Sequence, residues 1–470
     1  MGKRKSALFV FWLFITLSSG IVLGYYLPYF WGFFVAILIC LVLIPFLYNK
    51  SLPFFSDTCI ILFFLFLGAV WGISFSNQAI EKVLNKENTY RVKVISLPQS
   101  QNLRNAFFVR VKGVEGIGVN LKTKAFDYTR QMQYLGSYNV RGKLIRRRGF
   151  YCLWVKKGAF LEEVPASLID KAKKEITCYF LNLFKTHLSK DGYEFMSSVF
   201  LGRRELLGQK RRVFVDVGAS HLLAISGLHL GVTALVLFFV LRFFNIKFRA
   251  RLLISMVFLY IYTVVTGPSS STLRSVIMYS VFVFGFFLQR RVSSLNSLGV
   301  AGVISLLISP LSLFEVGFQL SFLSVFAIIL GAKLFAARTS SNAIFRYIQQ
   351  ILFCSLVVTV FISPLISYYF GRLYFLNILY NILLIPFFTL ILIVNFIFIV
   401  FSPFGFISQS LGSVLSLLIS AFISFSRFLG GIKGSFISYT FSMKGAVIYY
   451  LILASVLVGY ARYPAFSRRN

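Results

Sequence analysis

The residues able to do chemistry are concentrated in one short stretch. Between Val213 and Gly231 an otherwise apolar run carries Asp216, Ser220, His221, Ser226 and His229, together with Gly218, Gly227 and Gly231. The run is apolar enough to enter a bilayer, where polar groups persist only if they pair inside the protein or face a wet cavity, so the segment faces inward. Its glycines permit a helix break or a close helix contact. Three kinds of chemistry compete for it. Ser226 with His229 nearby suggests the nucleophile and base of an intramembrane hydrolase, although both fall on one helix and no oxyanion geometry can be argued. Asp216, His221 and His229 offer three metal ligands, but not at the i, i+4 spacing of a helical pair. A lining of hydroxyls and imidazoles for a hydrated path needs no fixed geometry, and it competes with plain interhelical hydrogen bonding.

Two further polar insertions fit an enclosed path. Ser269, Ser270, Ser271 and Thr272 open a helix after Gly267-Pro268 and are followed within a turn by Arg274. A guanidinium at that depth needs an anion, and after Glu205 the chain offers only Asp216 and Glu315. Arg274 is therefore expected either to pair with one of these or to meet a phosphate in transit. Glu315, Gln319 and Ser321 bring polar groups to another helix start, and Asn377, Asn381 and Pro386 place amides and a kink in a third.

The elements that position these groups follow from composition. Of 470 residues, 58% are hydrophobic and 13% charged; soluble domains carry about 45–50% apolar and about 25% charged residues, so this apolar excess has only the bilayer as solvent. Apolar runs fall at 7–27, 30–48 and 57–76 and then, after a polar interval from Asn77 to Lys190, at 226–244, 250–266, 272–288, 294–309, 316–335, 348–370, 374–401, 404–428 and 444–461. The first run follows Lys3, Arg4 and Lys5 and is read as a retained helix rather than a signal peptide. Placing those residues inside puts the basic loops at Arg242–Arg251, Arg290-Arg291 and Lys333–Arg346 on the cytoplasmic face, with both termini cytoplasmic; Arg372 and Lys433 are exceptions. The fold expected is a polytopic α-helical membrane protein of about twelve spans with an inserted OB-like β-barrel domain outside the cytoplasm.

That domain is read from a change of period. Between Thr89 and Val164 short segments alternate apolar and polar residues, with glycines at the joints, as strands of a small barrel do. The domains expected are 1–76, three N-terminal spans; 77–165, the OB-like domain; 166–212, amphipathic interfacial helices; and 213–470, the multi-helix membrane domain. The formal net charge is +34, and in 77–190 basic residues outnumber acidic ones more than two to one. Arg141, Lys143, Arg146, Arg147, Arg148, Tyr151 and Trp154 combine cations for phosphates with rings for bases, the composition of a single-strand binding groove. The same composition also suits a basic barrel over anionic headgroups with its aromatics as core. A Cys152–Cys178 disulfide is possible if this region faces an oxidising compartment.

The order of these motifs carries a resemblance. His221–His229 reading His-Leu-Leu-Ala-Ile-Ser-Gly-Leu-His, Thr266–Arg274, Pro310 followed by Val316–Leu323, and Pro364 followed by Tyr368–Gly371 resemble the ComEC competence-protein family along nearly the whole chain. The resemblance implies an inner-membrane channel for uptake of single-stranded DNA into the bacterial cytoplasm during natural transformation. Asp216, Ser220, His221, Ser226, Gly227, His229, Ser269, Ser270, Ser271, Arg274 and Gln319 are then expected along the translocation path. Implied partners are single-stranded DNA, membrane lipid, a DNA receptor, a cytoplasmic motor or single-strand-binding protein, and a separate nuclease. Longer family members carry a C-terminal metallo-β-lactamase-like domain; with His187, His221 and His229 as its only histidines, this sequence holds no His-x-His-x-Asp-His metal motif. No phosphate-binding Gly-x-x-x-x-Gly-Lys-Ser/Thr loop occurs either. The expectation is a channel without a nuclease or ATPase site, and without a cofactor or metal. An intramembrane serine hydrolase and a secondary transporter of a small anion are the alternatives, the latter without a convincing internal repeat.

Overall fold

The structure, a computed structural model, describes residues 9–26, 87–94, 99–101, 104–114, 117–127, 136–147, 150–164, 167–335, 343–432 and 434–462. The apolar runs expected at 30–48 and 57–76 lie outside the described residues, as does Arg148.

The polar interval forms strands β1 (Glu87–Val94), β2 (Gln99–Gln101), β3 (Arg104–Val114), β4 (Ile117–Asp127), β5 (Ser137–Arg147) and β6 (Phe150–Val164). They make one sheet in the order β1-β5-β6-β4-β3-β2, in which β1 also pairs with β3. Only β4 and β6 run parallel among these pairs. Alternation along β1 turns Tyr90, Val92 and Val94 inward, where they pack with Val109, Val111, Ala125, Tyr138, Val140, Leu144, Leu153 and Val155. Tyr90 and Tyr138 are thus core residues. Gly142 allows β5 and β6 to close: a Cβ there would lie 2.7 Å from the Trp154 carbonyl oxygen.

A helix, α2 (Leu168–His187), joins this sheet to the rest, and Lys93 of β1 is ion-paired with Asp170 in its first turn. It leaves Leu168, Ile169 and Tyr179 exposed, whereas Leu183, Phe184 and Leu188 enter the main core. Cys152 on β6 is half-buried, Cys178 on α2 is exposed, and both are free thiols, so no bridge ties the sheet to the helix.

Preceding the sheet is α1 (Phe9–Tyr26). After α2 come α3 (Lys190–Val199), α4 (Arg211–Asp216), α5 (Gly227–Phe243), α6 (Phe248–Thr266), α7 (Ser270–Phe287), α8 (Ser294–Ile308), α9 (Val316–Phe335), α10 (Ala343–Phe370), α11 (Asn377–Phe401), α12 (Gly405–Gly430) and α13 (Met443–Arg462). Between α10 and α11 and between α12 and α13, Arg372–Leu373 and Ile437–Ser438 form a two-stranded ladder.

Of the about twelve expected spans, two lie outside the described residues. Among the described residues α6, α7, α10, α11 and α12 are long and apolar enough to cross a membrane, α5 and α8 are shorter apolar helices of 17 and 15 residues, and α1, α9 and α13 are further apolar helices.

Besides a small cluster of Ala327, Val357 and Phe361, two cores hold the bundle among the described residues. The larger packs Phe184, Phe195, Phe214, Phe388, Phe398 and Phe422 between α2, α3, α4, α11 and α12. The smaller docks Leu17 and Ile21 of α1 on Leu298, Ala301, Phe318 and Phe322. The α1–α8 approach is close because of Gly299 and Gly302: a Cβ on Gly299 would lie 2.7 Å from the Phe11 backbone, and one on Gly302 2.3 Å from the Phe14 ring. Pro364, inside α10, has no N–H for the Val360 carbonyl. Tyr449 of α13 donates to that oxygen at 3.0 Å and Tyr450 to the Phe361 oxygen at 2.8 Å, satisfying groups that hydrocarbon could not.

Candidate functional site

Ser226 and His229 meet because α5 begins between them. Ser226, extended, precedes the helix; its N–H donates to His229 Nδ1 at 3.2 Å, and its Oγ lies 3.0 Å from the same nitrogen. A nitrogen that accepts a backbone N–H carries no proton, which leaves Nε2 to hold it. His229 is 2% exposed, with the Phe388 ring edge-on at 5.0 Å. The histidine thus acts as the reciprocal half of a helix cap, satisfying an N-terminal donor that α5 cannot.

Arg274 reaches the same point from α7. It is 5% exposed; Nη1 donates to the Ser321 carbonyl of α9 at 2.6 Å and Nη2 to Ser275 Oγ at 3.4 Å. A Cβ on Gly227 would lie 3.2 Å from Ser275 Oγ and 3.7 Å from Arg274 Nη2, so the guanidinium stands against the first turn of α5. The expected partner acids are both engaged elsewhere. Asp216 accepts from Arg372 at 2.8 Å and Glu315 from Ser270 Oγ at 3.3 Å. Among the described residues no carboxylate forms a salt bridge with Arg274. The intramolecular ion-pair expectation is therefore corrected: the two acids are held by nearer donors at the helix ends.

Asp216 belongs to a second cluster. Arg372 Cζ lies 4.2 Å over the Phe436 ring, so this guanidinium is held between a carboxylate and the ring that precedes the opposite strand of the ladder. Its hydrogen bond to Asp216 raises its pKa further above the ordinary arginine value. Gly218, at φ +75°, follows Asp216, and a Cβ there would be 2.9 Å from the Tyr374 ring. Asn377 Nδ2 donates to the Gly218 carbonyl at 3.4 Å. Ser220 and His221 are exposed beside this turn, His221 Nδ1 lying 3.3 Å from the Gly218 oxygen. The ladder residues therefore strap down the turn that leads into Ser226.

The remaining expected path residues do local work. Ser269 Oγ accepts the Thr272 N–H at 3.2 Å as the cap of α7, and the Ser271 carbonyl accepts from Ser275 Oγ at 2.9 Å. Gln319 donates to the Leu313 oxygen and accepts from Tyr369 Oη, both at 3.0 Å. Ser226, Gly227, His229 and Arg274 are brought together; Asp216, Ser220 and His221 gather under the strap; Gln319 stands with Tyr369. Sequence reasoning missed Ser275, Tyr369, Arg372 and Tyr374. Arg372 did leave a signal, as a cation on the face where basic loop residues are scarce.

In the sheet, Arg141 is exposed and Lys143 half-buried, and Lys143 is directly opposite Trp154 across β5 and β6. Arg146 and Arg147 occupy register positions opposite Tyr151 and Phe150. Among the described residues no group of three or more His, Cys, Asp or Glu is placed to hold a metal ion.

Apolar helices of spanning length, with polar side chains and a cation buried where their ends meet, define an integral membrane protein with an internal polar site. The chain belongs to the competence protein family, whose model, described as Competence protein, matches residues 199–463, more than half of its length. It is 32% identical over 176 residues to ComE operon protein 3 of Bacillus subtilis strain 168, covering 37% of this chain and 22% of that one. An uncharacterized protein of Aquifex aeolicus strain VF5 is 29% identical over 232 residues, covering 47% of this chain and 52% of its own length. The chain thus aligns with about a fifth and about half of these two relatives. No solved structure matches it.

Proposed function

We propose that this chain forms the path by which single-stranded DNA crosses the bacterial inner membrane, its sheet receiving the strand outside and its helices passing it to a cytoplasm that holds both termini. The observation that carries the reading is Arg274, a buried guanidinium on α7 with no carboxylate partner among the described residues, set against the start of α5 that Ser226 and His229 cap. Membership of the competence family supports it. We read the sheet as OB-like, on the pairing of β1 with both β5 and β3 and on the parallel β4–β6 pair. Arg141, Lys143, Arg146, Arg147, Arg148, Tyr151 and Trp154 then form the receiving surface. A receptor, a cytoplasmic motor or single-strand-binding protein and a separate nuclease complete the route.

The test is internalisation of labelled duplex DNA in a deletion strain complemented with intact chain or with Arg274→Ala at matched protein levels. Uptake restored only by the intact chain is expected; equal uptake with the variant removes Arg274 from the path. One contact favours a second reading, the 3.0 Å approach of Ser226 Oγ to His229 Nδ1, which a serine hydrolase would need. A serine-directed probe that labels the intact chain and not Ser226→Ala would establish it. Capture of that nitrogen by the Ser226 N–H opposes it.

A further inference from the structure

We infer that Arg274, Ser321 and the first turn of α5 form a buried site for one phosphate-ester oxyanion. The inference rests on the proposed function for the identity of the anion, a phosphodiester of the strand.

The argument begins with charge. The start of a 17-residue helix carries a partial positive charge, and α5, capped by Ser226 and His229, starts at Gly227. Arg274 brings a full positive charge against that same turn, its Nη2 lying 3.7 Å from where a Gly227 Cβ would be. Two positive ends side by side repel, and with Arg274 only 5% exposed little water is there to screen them. Asp216 and Glu315, the only acids of the chain beyond Glu205, are bound to Arg372 and Ser270. An anion between α5 and Arg274 resolves the arrangement.

The donors fit a tetrahedral oxyanion. Nη1 is committed to the Ser321 carbonyl, whereas the Nε–Nη2 edge, the side of a guanidinium that grips two oxygens of a phosphate, carries one long bond to Ser275 Oγ. Arg274 Nε and Ser321 Oγ are buried hydrogen-bonding atoms with no partner among the described residues. Gly227 keeps this point open, since a Cβ there would crowd Ser275 Oγ at 3.2 Å and touch Nη2 at 3.7 Å. One cation, one hydroxyl and one helix start match a singly charged phosphodiester. They hold it without a second cation, which suits a group that must bind and leave.

The probe is dimethyl phosphate, a singly charged phosphodiester, with neutral dimethyl methylphosphonate as control. The full chain is placed in phosphatidylcholine nanodiscs, and its thermal unfolding midpoint is followed as each probe is titrated. Dimethyl phosphate is expected to raise the midpoint of the native chain and to leave Arg274→Gln unmoved; the control raises neither. Ser321→Ala, which keeps the guanidinium, is expected to show a smaller shift. Without probe, Arg274→Gln is expected to unfold no earlier than the native chain, because it removes an uncompensated buried charge; earlier unfolding would make Arg274 a structural group and overturn the site. An equal probe shift in native and Arg274→Gln chains, or no shift in the native chain, also overturns it. In phosphatidylglycerol nanodiscs the shift is expected to persist; its disappearance would assign the site to lipid headgroups and overturn the strand assignment. Normal DNA uptake in the deletion strain would refute the proposed function while leaving the probe shift standing. A missing shift alongside chain-dependent uptake would refute only this inference.

Discussion

The Arg372–Asp216 contact is where the strap holds the turn leading into the site, and its strength can be worked from the structure. At 2.8 Å, two unit charges attract by about 1.5 kcal/mol in water and about 6 kcal/mol at an effective dielectric of 20. The side chains are 32% and 39% exposed, so solvent screening brings the pair toward the value of exposed ion pairs, about 1 kcal/mol. The Phe436 ring under the guanidinium adds about 0.5–1 kcal/mol that Asp216 does not share. Asp216→Asn is therefore expected to destabilise the strapped state by about 1 kcal/mol and Arg372→Gln by about 1.5–2 kcal/mol, with a coupling of about 1 kcal/mol in the double-mutant cycle. The assay is reversible unfolding of the full chain in mixed micelles, paired with DNA uptake, where a loss of about 1 kcal/mol corresponds to roughly a fivefold smaller population of the strapped state. Arg372→Lys is expected to recover only part, since an ammonium keeps the charge and loses the flat stacking surface. A coupling below about 0.3 kcal/mol would refute the reasoning and leave the strap to Tyr374, Asn377 and the ladder.

Other consequences follow from the same geometry. Tyr449→Phe and Tyr450→Phe each remove a donor to the carbonyls beside Pro364 and are expected to cost about 1 kcal/mol, read as a lower unfolding midpoint; unchanged midpoints would show that those carbonyls have other partners. Gly302→Val drives a side chain into Phe14 and is expected to loosen α1 from α8 by about 1–3 kcal/mol, seen as faster proteolysis near the N-terminus. Arg141→Ala in the full chain is expected to weaken oligonucleotide binding similarly for all sequences and to flatten its salt dependence by about one phosphate contact; a salt slope equal to that of the native chain would take Arg141 out of the receiving surface.

What was legible in the sequence was governed by solvent. Runs of Leu, Ile, Phe and Val fix where helices form, because a backbone in hydrocarbon must satisfy its own hydrogen bonds; helices accordingly stand at Phe248–Thr266, Asn377–Phe401 and Gly405–Gly430, close to the runs read from composition. Alternation in Glu87–Val94 likewise fixes which residues of β1 face inward. The polar stretch Asp216–His229 declared itself because acids, serines and histidines in an apolar run need an internal reason.

Pairing was beyond the sequence. With two acids and several cations as candidates, linear order does not say that Asp216 goes to Arg372, 156 residues away, and leaves Arg274 to a carbonyl. Nor does the Ser226–Gly227–Leu228–His229 spacing reveal that the imidazole turns back to cap its own helix. Helix length, too, was settled by where chains turn: α5 and α8 are ended by their loops before 18 residues, although the apolar composition around them reads as spans. These outcomes depend on which helix ends lie side by side. Composition supplies the burial that drives packing, and only the packed arrangement decides which donor is nearest to which acceptor.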